Sequence, residues 1–140
     1  MNCYMNGPAP VRILPGGNDN GFTVFTKLSM MNQPVNLFVM MDEDQNTIND
    51  AEFRVRPQAN LTTSLLLVDW PATYHVMCGG MSFADGHAIV KKWSGVGPAP
   101  ANWTRSGIRF SAGTLGQSQV ADLFRATSEP DGTTSPYTGW

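Results

Sequence analysis

Charge is scarce in this sequence. Asp, Glu, Lys and Arg make up 14% of its 140 residues, where about 25% is usual in a globular chain. Nine Lys and Arg stand against eleven Asp and Glu, for a formal net charge of -2. A protein that neutralises phosphates carries an excess of basic side chains, so nucleic acid is not an expected partner. Only two cysteines are present, Cys3 and Cys78. That excludes a disulfide framework and a zinc knuckle. One disulfide, in an oxidising compartment, and two free thiols both remain open. Long apolar runs are missing as well. Strand-sized runs such as Leu65 to Val68 fall far short of the roughly 18 residues that cross a bilayer. Met1-Asn2-Cys3-Tyr4 has neither the basic nor the apolar region of a signal peptide. No G-x-S-x-G, H-E-x-x-H, P-loop or C-x-x-C occurs, so none of the common nucleophile, metalloprotease or phosphate motifs is available.

Turn formers are abundant. Fourteen Gly and ten Pro cut the chain into short segments, the composition of a mainly β (α+β) domain with irregular loops. One domain is expected, over residues 1–127, followed by a turn-rich tail over 128–140. The apolar patterns predict strands at Val35 to Met41, Ala51 to Val55, Leu65 to Asp69, Met81 to Ala84 and His87 to Lys92. Together they make a twisted antiparallel sheet of about four to six strands. Phe22 to Met31 reads as a strand or a short helix, and Gln119 to Thr127 as the one late helix. Asp85-Gly86, between two β-compatible runs, predicts a two-residue hairpin turn with positive φ at both positions, Phe83 facing Ala88.

Nine residues separate His75 from Asp85-Gly86. Around this spacing lie Asp69-Trp70-Pro71-Ala72-Thr73-Tyr74-His75, Gly80-Met81-Ser82-Phe83-Ala84-Asp85-Gly86-His87 and Lys92-Trp93. Upstream are Cys3-Tyr4-Met5-Asn6-Gly7, Phe38-Val39-Met40-Met41-Asp42-Glu43 and Ile48-Asn49-Asp50-Ala51-Glu52-Phe53, and downstream Asp122-Leu123-Phe124. These stretches resemble the H-x9-DG domain at the C-terminus of bacterial prepilin-like proteins related to type II secretion pseudopilins. Ala51 stands where that family commonly has Gly. The resemblance covers roughly residues 1 to 127. It implies a pseudopilin-like head and the motif residues His75, Phe83, Asp85, Gly86 and His87. Members begin with a basic leader and a long apolar helix. Neither is in this sequence, so the chain is expected to be the head of a longer, inner-membrane-anchored protein facing the periplasm. Its implied partners are other pseudopilin subunits, the secretion machinery and secreted cargo.

Each motif also has a structural reading. His75 is expected to lie against the Asp85-Gly86 turn and hold the preceding loop there, since polar groups beside tight turns usually satisfy backbone groups. Asp42, Asp44 and Asn46 are spaced like the start of an EF-hand, but Thr47 occupies the Gly position and Phe53 the Glu position. A looser calcium site at Asp42, Asp44 and Asp50 is the one cofactor expectation, by analogy with pseudopilins that bind calcium; a solvated acidic loop is the simpler reading. Trp70 and Trp93 are expected in the core, with Trp103 and Trp140 free for contact surfaces. His75 and Cys78, three apart on a strand, are expected to point to opposite sides and so to form no thiol–imidazole pair. The reading is therefore a structural and interaction protein, not an enzyme. The alternatives are a carbohydrate-binding module using exposed Trp residues and, third, a hydrolase using Asp42, Glu43, Asp50 and His75.

Overall fold

The computed structural model describes Met5, residues 25–55 and residues 61–127. The expectations for Cys3, for the first twenty residues apart from Met5, for Trp140 and for the 128–140 tail lie outside these. The elements run β1 (Phe38–Met41), β2 (Leu65–Leu67), β3 (Cys78–Phe83), β4 (Ala88–Lys92), β5 (Ile108–Phe110) and α1 (Leu115–Thr127), with 3₁₀ turns at Leu28–Met30 and Pro34–Asn36. Among the described residues the strands pair antiparallel in two sheets, one ordered β1-β3-β4 and the other β2-β5, and an isolated parallel bridge joins Met5 to Phe25. The architecture is α+β, as expected, but the single sheet is divided in two.

Local chemistry explains where the boundaries moved. Pro34 fits the first position of a 3₁₀ turn because its φ is fixed and it has no N–H to lose. The expected strand from Val35 therefore starts at Phe38. The register then slips between Phe38 and Met40, the mark of a bulge. Past Met41 the chain leaves β3 for the segment ahead of it. The Asp42 N–H still donates to the Gly80 carbonyl, but Ala72 N–H donates to Asp42 O and Asp44 N–H to Trp70 O.

Ala51 to Val55 keeps the expected alternation, with Phe53 and Val55 buried and Glu52 and Arg54 half-buried. It forms only an isolated bridge, Val55 to Leu67. The Asp69 carboxylate accepts the Arg54 N–H, so a side chain stands in for part of a strand ladder. β5 was not anticipated. Gly107 admits it, with φ +74 and a Cα so close to β2 that a Cβ would clash with the Leu67 carbonyl oxygen. Helix α1 begins four residues earlier than expected, because Thr114 Oγ1 accepts the Gln117 N–H at 3.1 Å and caps it.

One main core joins both sheets and α1. It contains Phe38, Phe53, Leu65, Leu67, Trp70, Phe83, Trp93, Val120, Leu123 and Phe124. Phe38 meets Phe53 edge to face at 6.1 Å between ring centroids. Trp70 and Trp93 are buried, as expected. Trp103 is not free: it is half-buried, and its Nε1 donates to the Val68 carbonyl at 2.7 Å.

Candidate functional site

Strand β3 carries the motif residues, with a turn at each end. The far turn is a three-residue hairpin. Gly86 N–H donates to Phe83 O at 3.0 Å and Phe83 N–H to His87 O at 2.9 Å. Gly86 has φ +97, and Asp85 is not in the positive region. The expected two-residue turn is thus replaced by a type I turn closed by a left-handed glycine, which needs one positive φ instead of two. The register shifts with it, so that Ser82 faces Ala88 and the Phe83 and His87 rings stack at 4.3 Å. His87 Nδ1 lies 2.6 Å from Asp85 Oδ1. The imidazole beside it holds the Asp85 carboxyl below the usual carboxylate range.

His75 is at the other end. His75 N–H donates to Cys78 O and Cys78 N–H to His75 O, at 3.3 and 3.1 Å. Val76 and Met77 between them have φ +53 and +65, a type I′ turn. The six residues of β3, about 3.3 Å each, separate this turn from Asp85. The His75 ring is exposed and does not hold the Asp85-Gly86 turn. The nine-residue spacing measures one strand between two turns. A second expectation also changes: residues flanking a two-residue turn share a face, so His75 and Cys78 do not point to opposite sides. The Cys78 thiol nonetheless contacts the Val76 carbonyl, at 3.5 Å, and not the imidazole.

The acidic loop is tied to backbone. Asp42 Oδ2 accepts Gly80 N–H at 2.8 Å. Buried Asp44 accepts the Asn46 N–H and side-chain amide through Oδ1, at 2.9 and 3.0 Å. Asp50 Oδ1 accepts Glu52 N–H. These carboxylates serve separate donors, and among the described residues no group of three or more His, Cys, Asp or Glu converges as a metal site would require. Two carboxylates are perturbed upward: Glu43, which belongs to the expected hydrolase set, and Asp69, which belongs to none. Burial, and then the charge of Asp69, pushes Glu43 up to about 7. Burial pushes Asp69 up to about 6 against the opposing Arg54 N–H bond, with the nearby Asp50 charge adding to the rise. Asp69 lines a small polar cavity of about 90 Å³ with Asn49, Asp50, Arg54, Val68 and Arg105. The signal for Asp69 was its place inside an apolar run, where a charged side chain is costly.

The outer face of the β1-β3-β4 sheet is unlike an ordinary solvated face. On β3, Cys78, Gly80 and Ser82 alternate with buried Gly79, Met81 and Phe83. On β4 the outward residues are Ala88, Val90 and Lys92. On β1 it is Met40, followed by Asp42, whose carboxylate lies over Gly80. Small residues in the central strand between Met40 and Val90 leave an open trough of about 670 Å³. Val90 is 74% exposed and Met40 59%. A strand over β4 was legible in the sequence; that Ala88 and Val90 face outward while Ile89 packs against the core was not. Comparison of the chain with known protein families, with curated proteins and with solved structures finds no match.

Proposed function

We propose that this chain is the β-rich head of a type II secretion pseudopilin-like protein, a structural and interaction subunit of a periplasmic pseudopilus. The observation that supports this reading is the outer sheet face, where Met40, Ala88 and Val90 stand in water beside a floor of small residues. Contiguous apolar surface with a polar rim is the mark of a contact site, and a subunit that works by contact needs no reaction centre and no cofactor. In this reading a helix outside the present sequence anchors the protein in the inner membrane, and the head meets other subunits, the secretion machinery and cargo. The test is to place a photo-crosslinking residue at Val90 in the gene product of the source organism. The expected result is envelope-localised protein with adducts to secretion subunits. A cytoplasmic protein without adducts would overturn the reading.

A hydrolase is the second reading, favoured by the raised Glu43 and Asp69 carboxyls, since a carboxyl titrating near neutrality suits general acid–base work. Turnover of a polysaccharide or peptide that is abolished in Glu43→Gln would support it over the first.

A further inference from the structure

We infer that the small polar cavity beside Asp69 binds a zwitterion the size of glycine, with its carboxylate on Arg54 and Arg105 and its ammonium on Asp69 and Asp50. The cavity shares no lining residue with the trough on the sheet face, so the inference does not depend on what that face meets. Three parts of the chain build its walls. Asp50 follows the acidic loop, and Arg105 comes from the loop ahead of β5. Arg54 and Asp69 face each other between them: Arg54 N–H donates to Asp69 Oδ2, and Asp69 N–H donates to Arg54 O at 3.4 Å. The side chains are less fully matched than the backbone. Asp69 is 2% exposed, and the Arg54 N–H occupies only one of its two oxygens. Among the described residues no donor meets Oδ1, yet protein atoms do not seal that oxygen off. The guanidinium groups are open as well. Among the described residues the ion pairs are Asp85–His87 and Asp122–Arg125. Arg54 and Arg105 therefore line a cavity with two carboxylates and pair with neither. The cost shows at Asp69, where burial outweighs the Arg54 N–H bond and holds the carboxyl at about 6.

Charge and room decide the ligand. Two carboxylates and two guanidinium groups sum to zero, so a bare anion or a bare cation would leave one sign unmet. Water fits the space but brings no charge to either pair. A guanidinium offers a planar fork that matches a carboxylate with two parallel bonds. An ionised Asp69 only accepts, so its open oxygen calls for a donor such as an ammonium. The cavity of about 90 Å³ has the room of three waters at about 30 Å³ each, which limits the ligand to about five non-hydrogen atoms. An α-amino acid carries both charged groups on one carbon, and glycine is its smallest form.

The test is an NMR titration of the whole chain with glycine, read at the backbone amides of Asn49, Arg54 and Asp69. Saturable shifts are expected, with a Kd on the order of 1 mM, since few atoms make the contacts. Acetate and methylammonium each carry half of the zwitterion and should bind about tenfold more weakly or worse. Leucine has the same charged groups and no room for its side chain, so it should fall behind by a similar factor. Arg105→Met removes one guanidinium at an exposed position. It should weaken glycine binding about tenfold with the melting temperature unchanged. Asp69→Asn keeps an acceptor for the Arg54 N–H and removes the charge, and it should weaken binding as much; Arg105→Met carries the test if that variant does not fold. No saturable shift with glycine would overturn the inference. So would acetate, methylammonium or leucine binding as well as glycine, or full glycine affinity in Arg105→Met.

Discussion

Replacing Val76 by Asn, and then Met77 by Gly, should make the fold more stable. The turn between His75 and Cys78 holds both central residues in the left-handed region, at φ +53 and +65. That region costs an L-residue roughly 1–2 kcal/mol, and a β-branched residue such as Val is among the worst suited to it. No burial offsets the cost at Val76, whose side chain is 86% exposed. Asn tolerates the conformation, so Val76→Asn should gain about 1 kcal/mol. Met77→Gly removes a second left-handed cost but adds about 0.5–1 kcal/mol of unfolded-state entropy. It also gives up the packing of a half-buried side chain, so its own gain is small. The backbone bond from Trp93 N–H to Met77 O, 2.7 Å long, involves no side-chain atom of Met77 and survives the change. The pair together should gain about 1–2 kcal/mol, a rise in Tm of roughly 4–8 °C for a domain of this size. Urea unfolding followed by Trp fluorescence reads it as a higher midpoint at constant slope. An unchanged or lower midpoint for Val76→Asn would refute the claim that this turn is strained.

Three further outcomes are expected. Gly86→Val should lose about 1 kcal/mol or more, because φ +97 is strained for any β-branched residue; equal melting temperatures would mean that the turn closes differently. His75→Ala should change stability by less than about 0.5 kcal/mol, as at an exposed site away from any packed feature, and a loss above about 1 kcal/mol would show that the ring has a structural contact. The third concerns pH. Glu43, at about 7, and Asp69, at about 6, hold their protons more tightly folded than unfolded, so the folded state binds the extra protons and stability falls as pH rises from the ordinary carboxylate range to about 7. Melting temperature should therefore decline from the ordinary carboxylate range up to about pH 7, and Glu43→Gln should remove the upper part of the decline; a flat or rising profile would contradict the burial of these groups. The Asp85–His87 pair acts in the opposite sense and only at lower pH, because the Asp85 carboxyl is depressed.

By itself the sequence determined the class of the fold and the kind of element at most positions. Phe53 and Val55 alternate with Glu52 and Arg54, and both apolar side chains are buried; period-two patterning is local and needs no partner to be legible. Gly86 after Asp85 announced a turn for the same reason, since only a glycine adopts φ +97 without cost. Tertiary structure decided what those elements meet. The Asp85 turn took three residues instead of two, and that shift by one exchanged the partner of Phe83 from Ala88 to His87. The His75 spacing was visible as a number, but whether nine residues fold back or run straight depends on β1 and β4 pairing with β3 along its length. Strand β5, three residues with a single apolar pair, exists because Leu65 to Leu67 is there to receive it. The Val76-Met77 turn has no local signal at all; its reciprocal bonds between His75 and Cys78, and the pairing of β3 with β4 beyond them, hold two residues where their own chemistry opposes it. The exposed apolar trough is of the same kind. Met40, Val90 and Gly80 are far apart in sequence, and only the register of three strands sets them side by side, because pleating assigns each residue a face and pairing alone assigns it neighbours.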